Sequence, residues 1–182
     1  MPFIDSIEVL LLGYFLGSFP SGLVFSKISG GNDIRKTGSG NIGATNVLRT
    51  GSKLLALLTL ISDLGKGFLT IKIANLINPE IDIASIAALG CIMGHIFPIW
   101  TKFKGGKGVA TAIGVLLALA WKVAIAIIII WFFVAIITKY SSLAALITFT
   151  TLPFLAAALE TEFQPLALCI ICLLYTSPSP RD

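Results

Sequence analysis

Charge is scarce in this chain. Of its 182 residues 12% are Asp, Glu, Lys or Arg, about half the share of a soluble domain, which excludes an ordinary water-soluble globule. Its 56% hydrophobic content equally excludes a disordered chain. One His and no Asp-x-Asp pair argue against a metal centre, and no cofactor or metal is expected. Three cysteines leave little redox chemistry. Cys91 lies in an apolar run, and Cys169 and Cys172 form a C-x-x-C inside another, where small buried residues are the simpler reading. Thirteen basic against nine acidic residues give a formal net charge of +4, with no basic run of the kind that binds nucleic acid.

What the chain has is long apolar runs. A helix needs roughly 20 mostly apolar residues to cross a bilayer. Candidate spans fall at about 6–26, 54–77, 83–100, 108–121, 122–138 and 142–158. A seventh run, Leu166 to Tyr175, would rise only about 15 Å and looks truncated. The expected fold is an all-α, polytopic membrane protein with six full spans plus that truncated seventh, forming one domain over 1–175. Residues 176–182 switch to a Ser-Pro-rich composition and read as a non-native or unstructured tail. The division of 108–138 rests on Trp121 and Lys122, a pair suited to a turn at the headgroups.

Basic residues distribute unevenly between the loops. With the N-terminus outside, Lys27, Arg35, Lys36, Arg49, Lys53, Lys102, Lys104, Lys107 and Lys139 all fall on the cytoplasmic side and Lys122 outside. The positive-inside rule favours that orientation. Pro20 and Pro98 are expected to end or kink helices near the inner face. Gly13/Gly17 and Gly90/Gly94 each form a G-x-x-x-G, which lets helix backbones approach closely.

Two cytoplasmic loops are unusually rich in glycine. The first, residues 30–52, contains Gly38-x-Gly40-x-x-Gly43, but it lies between membrane spans and not between a strand and a helix, so a dinucleotide fingerprint is excluded. Its composition suits an anion cradle, with backbone N–H groups, neutral donors from Ser39, Asn41, Thr45 and Asn46, and the planar fork of Arg49. The second, Lys104-Gly105-Gly106-Lys107-Gly108, precedes a helical run and lacks the order of a Walker A motif, so nucleotide hydrolysis is not expected. His95 stands nearby as a neutral base, donor or structural residue. Asp63 and Lys66 share one face of the second span and read as an ion pair bracing the two loops. On these residues alone, an enzyme handling phosphorylated substrates at the inner bilayer surface and a small phosphate or organic-anion transporter both remain open. Transporters, however, place their polar residues near the midplane, where this chain has few.

The motifs are more specific than the composition. Ser39-Gly-Asn-Ile-Gly-Ala-Thr-Asn-Val-Leu-Arg49, Asp63-Leu-Gly-Lys-Gly67, Gly94-His-Ile-Phe-Pro98 and Phe103-Lys-Gly-Gly-Lys-Gly-Val-Ala-Thr111 together resemble the bacterial PlsY family, the acyl-phosphate-dependent glycerol-3-phosphate acyltransferases. The resemblance runs from about residue 8 to 174. It implies a seven-span monomer in the bacterial plasma (inner) membrane, surrounded by membrane lipids, with its active site facing the cytoplasm. There it makes lysophosphatidate from acyl phosphate and glycerol 3-phosphate. The family's third motif, carrying a His, an Asn and a Glu after the last span, is missing from this chain, so an inactive fragment is a further alternative.

By the resemblance, Ser39 and Arg49 take essential positions, with Lys107 the third catalytic candidate. Gly105, Gly106 and Gly108 belong with Lys104 to the glycerol-3-phosphate site, and Gly40, Asn41, Gly43, Thr45, Asn46, His95 and Thr111 complete the expected binding set. The His-x-x-x-x-Asp pair of other glycerol-phosphate acyltransferases is missing, because Trp100 stands five residues after His95. A substrate phosphate oxygen is therefore expected to accept the hydroxyl proton.

Overall fold

The structure, a computed structural model, describes residues 2–159, which contain eight α-helices and two 3-10 turns. The helices are α1 (Pro2–Gly17), α2 (Ser21–Ile28), α3 (Ala44–Arg49), α4 (Lys53–Ile77), α5 (Ile81–Ile96), α6 (Val109–Leu119), α7 (Trp121–Thr138) and α8 (Ser141–Ala158). The 3-10 turns span Ile34–Lys36 and Ile99–Thr101. The expected seventh span and the tail lie outside the described residues.

Glycine decides which helices touch. Along α1 and α5, a Cβ on Gly13 would strike the carbonyl of Ala87, and one on Gly17 that of Cys91. Reciprocally, a Cβ on Gly90 would strike Leu10 and one on Gly94 would strike Tyr14. Both G-x-x-x-G pairs therefore serve one seam, in which each backbone fills the notch left by the other. Gly67 of α4 against Thr111, and Gly114 of α6 against Leu64, repeat the device. Around these seams lies a core of Ile71, Ile92, Ile96, Val115, Ile127 and Phe149.

The outer helices show what surrounds the molecule. In α7 only Val123, Ala124 and Ile127 are buried, whereas Phe132, Phe133 and Ile137 are 56%, 59% and 77% exposed. A helix that is apolar all round and still exposed requires an apolar solvent. Among the described residues, five segments are long and apolar enough to cross a membrane: Asp5–Ile28, Lys53–Ile77, Ile81–Thr101, Trp121–Thr138 and Ser141–Ala158.

The remaining expected span, 108–121, falls short of that length. Residues 108–121 form an apolar helix, but α6 has 11 residues and rises about 16 Å, roughly half a crossing. Its start explains its length. Gly106 and Gly108 are buried, so the preceding loop dips into the protein and consumes depth that a helix would otherwise span. Irregular backbone is tolerated there because protein surrounds it. The first span is likewise broken, at Phe19-Pro20, and α5 ends just before Pro98, as the two prolines implied.

Candidate functional site

The first glycine loop is organised from within by Asn46. Its side chain is buried, its Oδ1 accepts the N–H of Ser39 at 3.0 Å, and its Nδ2 donates to the carbonyls of Ile34, Thr37 and Asn41 at 2.9, 3.0 and 2.8 Å. Gly38 permits this arrangement, since its φ is +56° and a Cβ there would collide with Asn46 Oδ1. Asn41 Oδ1 accepts the N–H of Gly43 at 3.0 Å, turning the chain into α3. Upstream, Asp33 caps the 3-10 turn by accepting from the Arg35 backbone and side chain. The Arg35 side-chain bond, and after it the Arg35 backbone bond, hold the Asp33 carboxyl down at about 2.

The second loop is folded around His95. The N–H groups of Gly105 and Gly106 donate to the carbonyls of Ile96 and His95 at 3.0 and 3.1 Å, and a Cβ on Gly106 would run into the imidazole Nε2. Lys102 and Phe103 both take left-handed backbone, φ 56° and 61°, which returns the Phe103 N–H to the Pro98 carbonyl at 3.0 Å. Gly108, at φ 79°, then releases the chain into α6.

Between the loops lies a buried polar cluster. Asp63 Oδ1 accepts from Ser21 Oγ at 2.8 Å and pairs with Lys66 Nζ at 2.8 Å. His95 Nδ1 stands 3.7 Å from the same oxygen and has no hydrogen-bond partner among the described residues. Lys66 Nζ also donates to the Phe19 carbonyl at 3.0 Å, next to the break at Pro20. The expected pair thus ties the α1–α2 break to α4, with His95 of α5 set against it.

Both loops open into one cavity of about 550 Å³. Its polar end is lined by Ser39, Asn41, Gly43, Thr45, Asn46, Arg49, Lys53, Asp63, His95, Lys107, Gly108, Ser141 and Ser142. Leu57, Leu60, Leu64, Ile113, Ile128, Trp131 and Ala145 continue it as an apolar cleft. Leu57 and Leu60 are 52% and 39% exposed, so the cleft runs onto the lipid-facing flank of α4. Across the mouth, Thr45 Oγ1 and Ser141 Oγ approach to 3.4 Å. Arg49 and Lys107, distant in sequence, share one chamber. Such a chamber can hold anionic headgroups at one end and a hydrocarbon chain at the other.

Comparison with known proteins agrees with the motifs. A family model described as Glycerol-3-phosphate acyltransferase matches residues 7–178. The chain belongs to that family. It is 51% identical over 147 residues to a protein named glycerol-3-phosphate acyltransferase from Brucella anthropi, covering 81% of this chain and 72% of that one. The counterpart from Nitrobacter winogradskyi is 50% identical over 153 residues, 84% of this chain and 78% of its own. A crystal structure of PlsY, an integral membrane glycerol 3-phosphate acyltransferase, in its glycerol 3-phosphate form superposes with a TM-score of 0.88 at 31% identity. That match covers 97% of this chain and 88% of the PlsY chain. The lysophosphatidic acid form gives 0.84 at 30% identity, covering 94% and 85%.

Within this acyltransferase-family fold, several expected site residues lie off the cavity wall. Gly40, Lys104, Gly105, Gly106 and Thr111 are not among those lining the cavity. Gly40, at φ +72°, turns beside the Arg35 carbonyl; Lys104 is exposed, and its carbonyl accepts from Thr101 Oγ1 at 2.8 Å. The amides of Gly105 and Gly106 are committed to carbonyls and are not offered to an anion. Thr111 is fully buried in the α4–α6 seam. Asn46 reaches the cavity wall, but its amide is spent inside the loop. Sequence reasoning used Lys53 only as a topology marker and overlooked Ser141, Ser142 and Trp131. A serine pair opening a helix beside Lys139 carried the signal, as polar residues at the end of an apolar span.

Proposed function

We propose that this chain transfers a fatty acyl group from acyl phosphate to glycerol 3-phosphate, giving 1-acylglycerol 3-phosphate (lysophosphatidate) and inorganic phosphate. One observation carries the reading: the cationic loops bearing Arg49 and Lys107 share a cavity whose other end is an apolar cleft facing lipid. The acyl chain lies in the cleft and enters sideways from the membrane. Both phosphates lie toward Arg49 and Lys107.

An acyl phosphate is a mixed anhydride with a good leaving group, so positioning and charge neutralisation suffice. A glycerol hydroxyl oxygen attacks the acyl carbonyl carbon. The new ester C–O bond forms as the carbon–oxygen bond to phosphate breaks, and a phosphate oxygen takes up the hydroxyl proton. No acyl-protein forms in this scheme. The concentration of Lys and Arg in the loops at this end supports an exterior N-terminus and a site facing the cytoplasm of a bacterial inner membrane.

The test is purified protein in detergent with acyl phosphate and glycerol 3-phosphate, followed for lysophosphatidate and phosphate released in equal amounts. Phosphate release without lysophosphatidate would refute acyl transfer. Arg49→Lys is expected to cut kcat/KM at least about tenfold, because an ammonium cannot reproduce a planar two-pronged grip on phosphate.

A further inference from the structure

Asp63 is a carboxylate inside a chamber that, on the reading above, receives two phosphorylated substrates. Its burial makes it costly: it is 3% exposed, in the interior of a membrane-spanning helix. Ser21 Oγ and Lys66 Nζ both meet Oδ1 at 2.8 Å, and His95 Nδ1 lies 3.7 Å from that same atom. Oδ2 takes no hydrogen bond from the described residues. That oxygen is not among the fully enclosed atoms without a partner, so it opens onto the cavity, and a carboxylate oxygen there takes a donor. Because Asp63 lines the cavity, a donor for Oδ2 has to come from that side.

The chemistry of that donor is narrow. A phosphate dianion has no proton to give at neutral pH and is repelled by a carboxylate in a weakly screening interior. An acyl chain offers no polar hydrogen. An alcohol fits both demands, since it donates one hydrogen bond and carries no charge. The layout brings the two ends of a short phosphorylated polyol into one chamber: Gly106 packs on the ring of His95, Lys107 follows it directly, and Lys107, His95 and Asp63 all line the cavity.

We propose that Asp63 is the hydroxyl-binding residue of the acceptor site, accepting a hydrogen bond through Oδ2 from a hydroxyl of the glycerol moiety. Ser21 and Lys66 are its positioning residues, fixing Oδ1 so that Oδ2 faces the chamber. This rests on the acyltransferase reading but goes beyond it, because it assigns recognition of the alcohol to a charge that looks like half of a structural ion pair.

The test compares binding of glycerol 3-phosphate with that of n-propyl phosphate, which keeps the phosphate and the three carbons but has no hydroxyl. Calorimetry on the full chain in detergent reads both affinities. In the unmodified protein glycerol 3-phosphate is expected to bind at least about tenfold more tightly, the scale of one charge-assisted hydrogen bond. Asp63→Asn combined with Lys66→Gln removes both charges together, so no lone cation is left buried. That protein is expected to bind the two ligands within about twofold of each other, with propyl phosphate affinity unchanged. Should the double variant fail to fold, Asp63→Glu keeps the charge while displacing the oxygens by one methylene, and it too is expected to narrow the preference. A folded variant that keeps the full preference, or one that weakens both ligands equally, overturns the proposal. Absence of acyl transfer by the unmodified protein would instead sink the acyltransferase reading, whatever the ratio of affinities.

Discussion

Replacing Asn46 by Asp would preserve the side chain's shape and remove both of its N–H donors. The carbonyls of Ile34, Thr37 and Asn41, now 2.8 to 3.0 Å from an amide, would then face a carboxylate, and Gly38 could not move aside without leaving its left-handed backbone. Losing buried donors and gaining repulsion costs about 3 kcal/mol, and Asn46→Asp is expected to lower the melting temperature in detergent and to abolish turnover. Asn46→Ala should cost less stability while still disordering Ser39. The Asp33 cap behaves differently because it is exposed. Its carboxyl is held at about 2 against an ordinary 3.8, so its contribution to the turn is fully present above about pH 4 and fades as pH falls through 2. Carboxyl resonances followed by NMR should titrate with that midpoint, and Arg35→Gln should return it toward the ordinary value. Residue identity alone showed that Ser39, Asn41, Asn46 and Arg49 belong together. It did not show that Asn46 organises the loop, because an amide's role depends on which backbone groups the chain folds around it.

The helix seams make a sharper demand on sequence than the loops do. Gly94→Ala would press a methyl group into the Tyr14 carbonyl, and the same seam carries the 2.8 Å hydrogen bond from Tyr14 Oη to the Phe97 carbonyl. With the two helix backbones already in contact, α1 and α5 have to separate along their length, at a cost of about 1–3 kcal/mol. Differential scanning fluorimetry in detergent should show Gly94→Ala melting several degrees below the parent, with Gly65→Ala, which meets open space, as the unaffected control. The α1–α5 seam was legible beforehand, since the four-residue spacing of small residues has one common use in a membrane. The length of α6 was not. Its apolar composition is that of a spanning helix, and the shortening comes from a loop drawn inward to fold around His95, a tertiary cause without a local signature. The break between α6 and α7 falls at Ala120, within two residues of the Trp121–Lys122 boundary that interfacial chemistry indicated.

At the scale of the whole molecule, the cleft follows from which helices do not pack together. α4 packs on α6, α6 on α7 and α7 on α8, while α3 meets the start of α8 where Thr45 approaches Ser141. The space left between the α4 flank and the α7–α8 pair is therefore bounded by aliphatic side chains and open to lipid along Leu57 and Leu60. This arrangement lets one protein join a water-soluble headgroup to a chain that never leaves the bilayer. It also sets a length test. From Leu57 to Leu64 the apolar α4 wall runs about 10 Å, so on the proposed reading a long acyl chain uses the full cleft and a short one only part of it. Leu60→Trp would fill the middle of that wall. Each methylene displaced from apolar contact costs about 0.8 kcal/mol, so losing three or four of them should raise KM for a sixteen-carbon acyl phosphate by roughly a hundredfold. An eight-carbon acyl phosphate should be turned over with a KM within about threefold of the parent. Equal loss for both donors would mean that the substitution damages the headgroup end and that the acyl chain lies elsewhere. Because Leu60 faces lipid and supports no helix seam, the protein should remain folded, leaving chain-length discrimination as the quantity that moves.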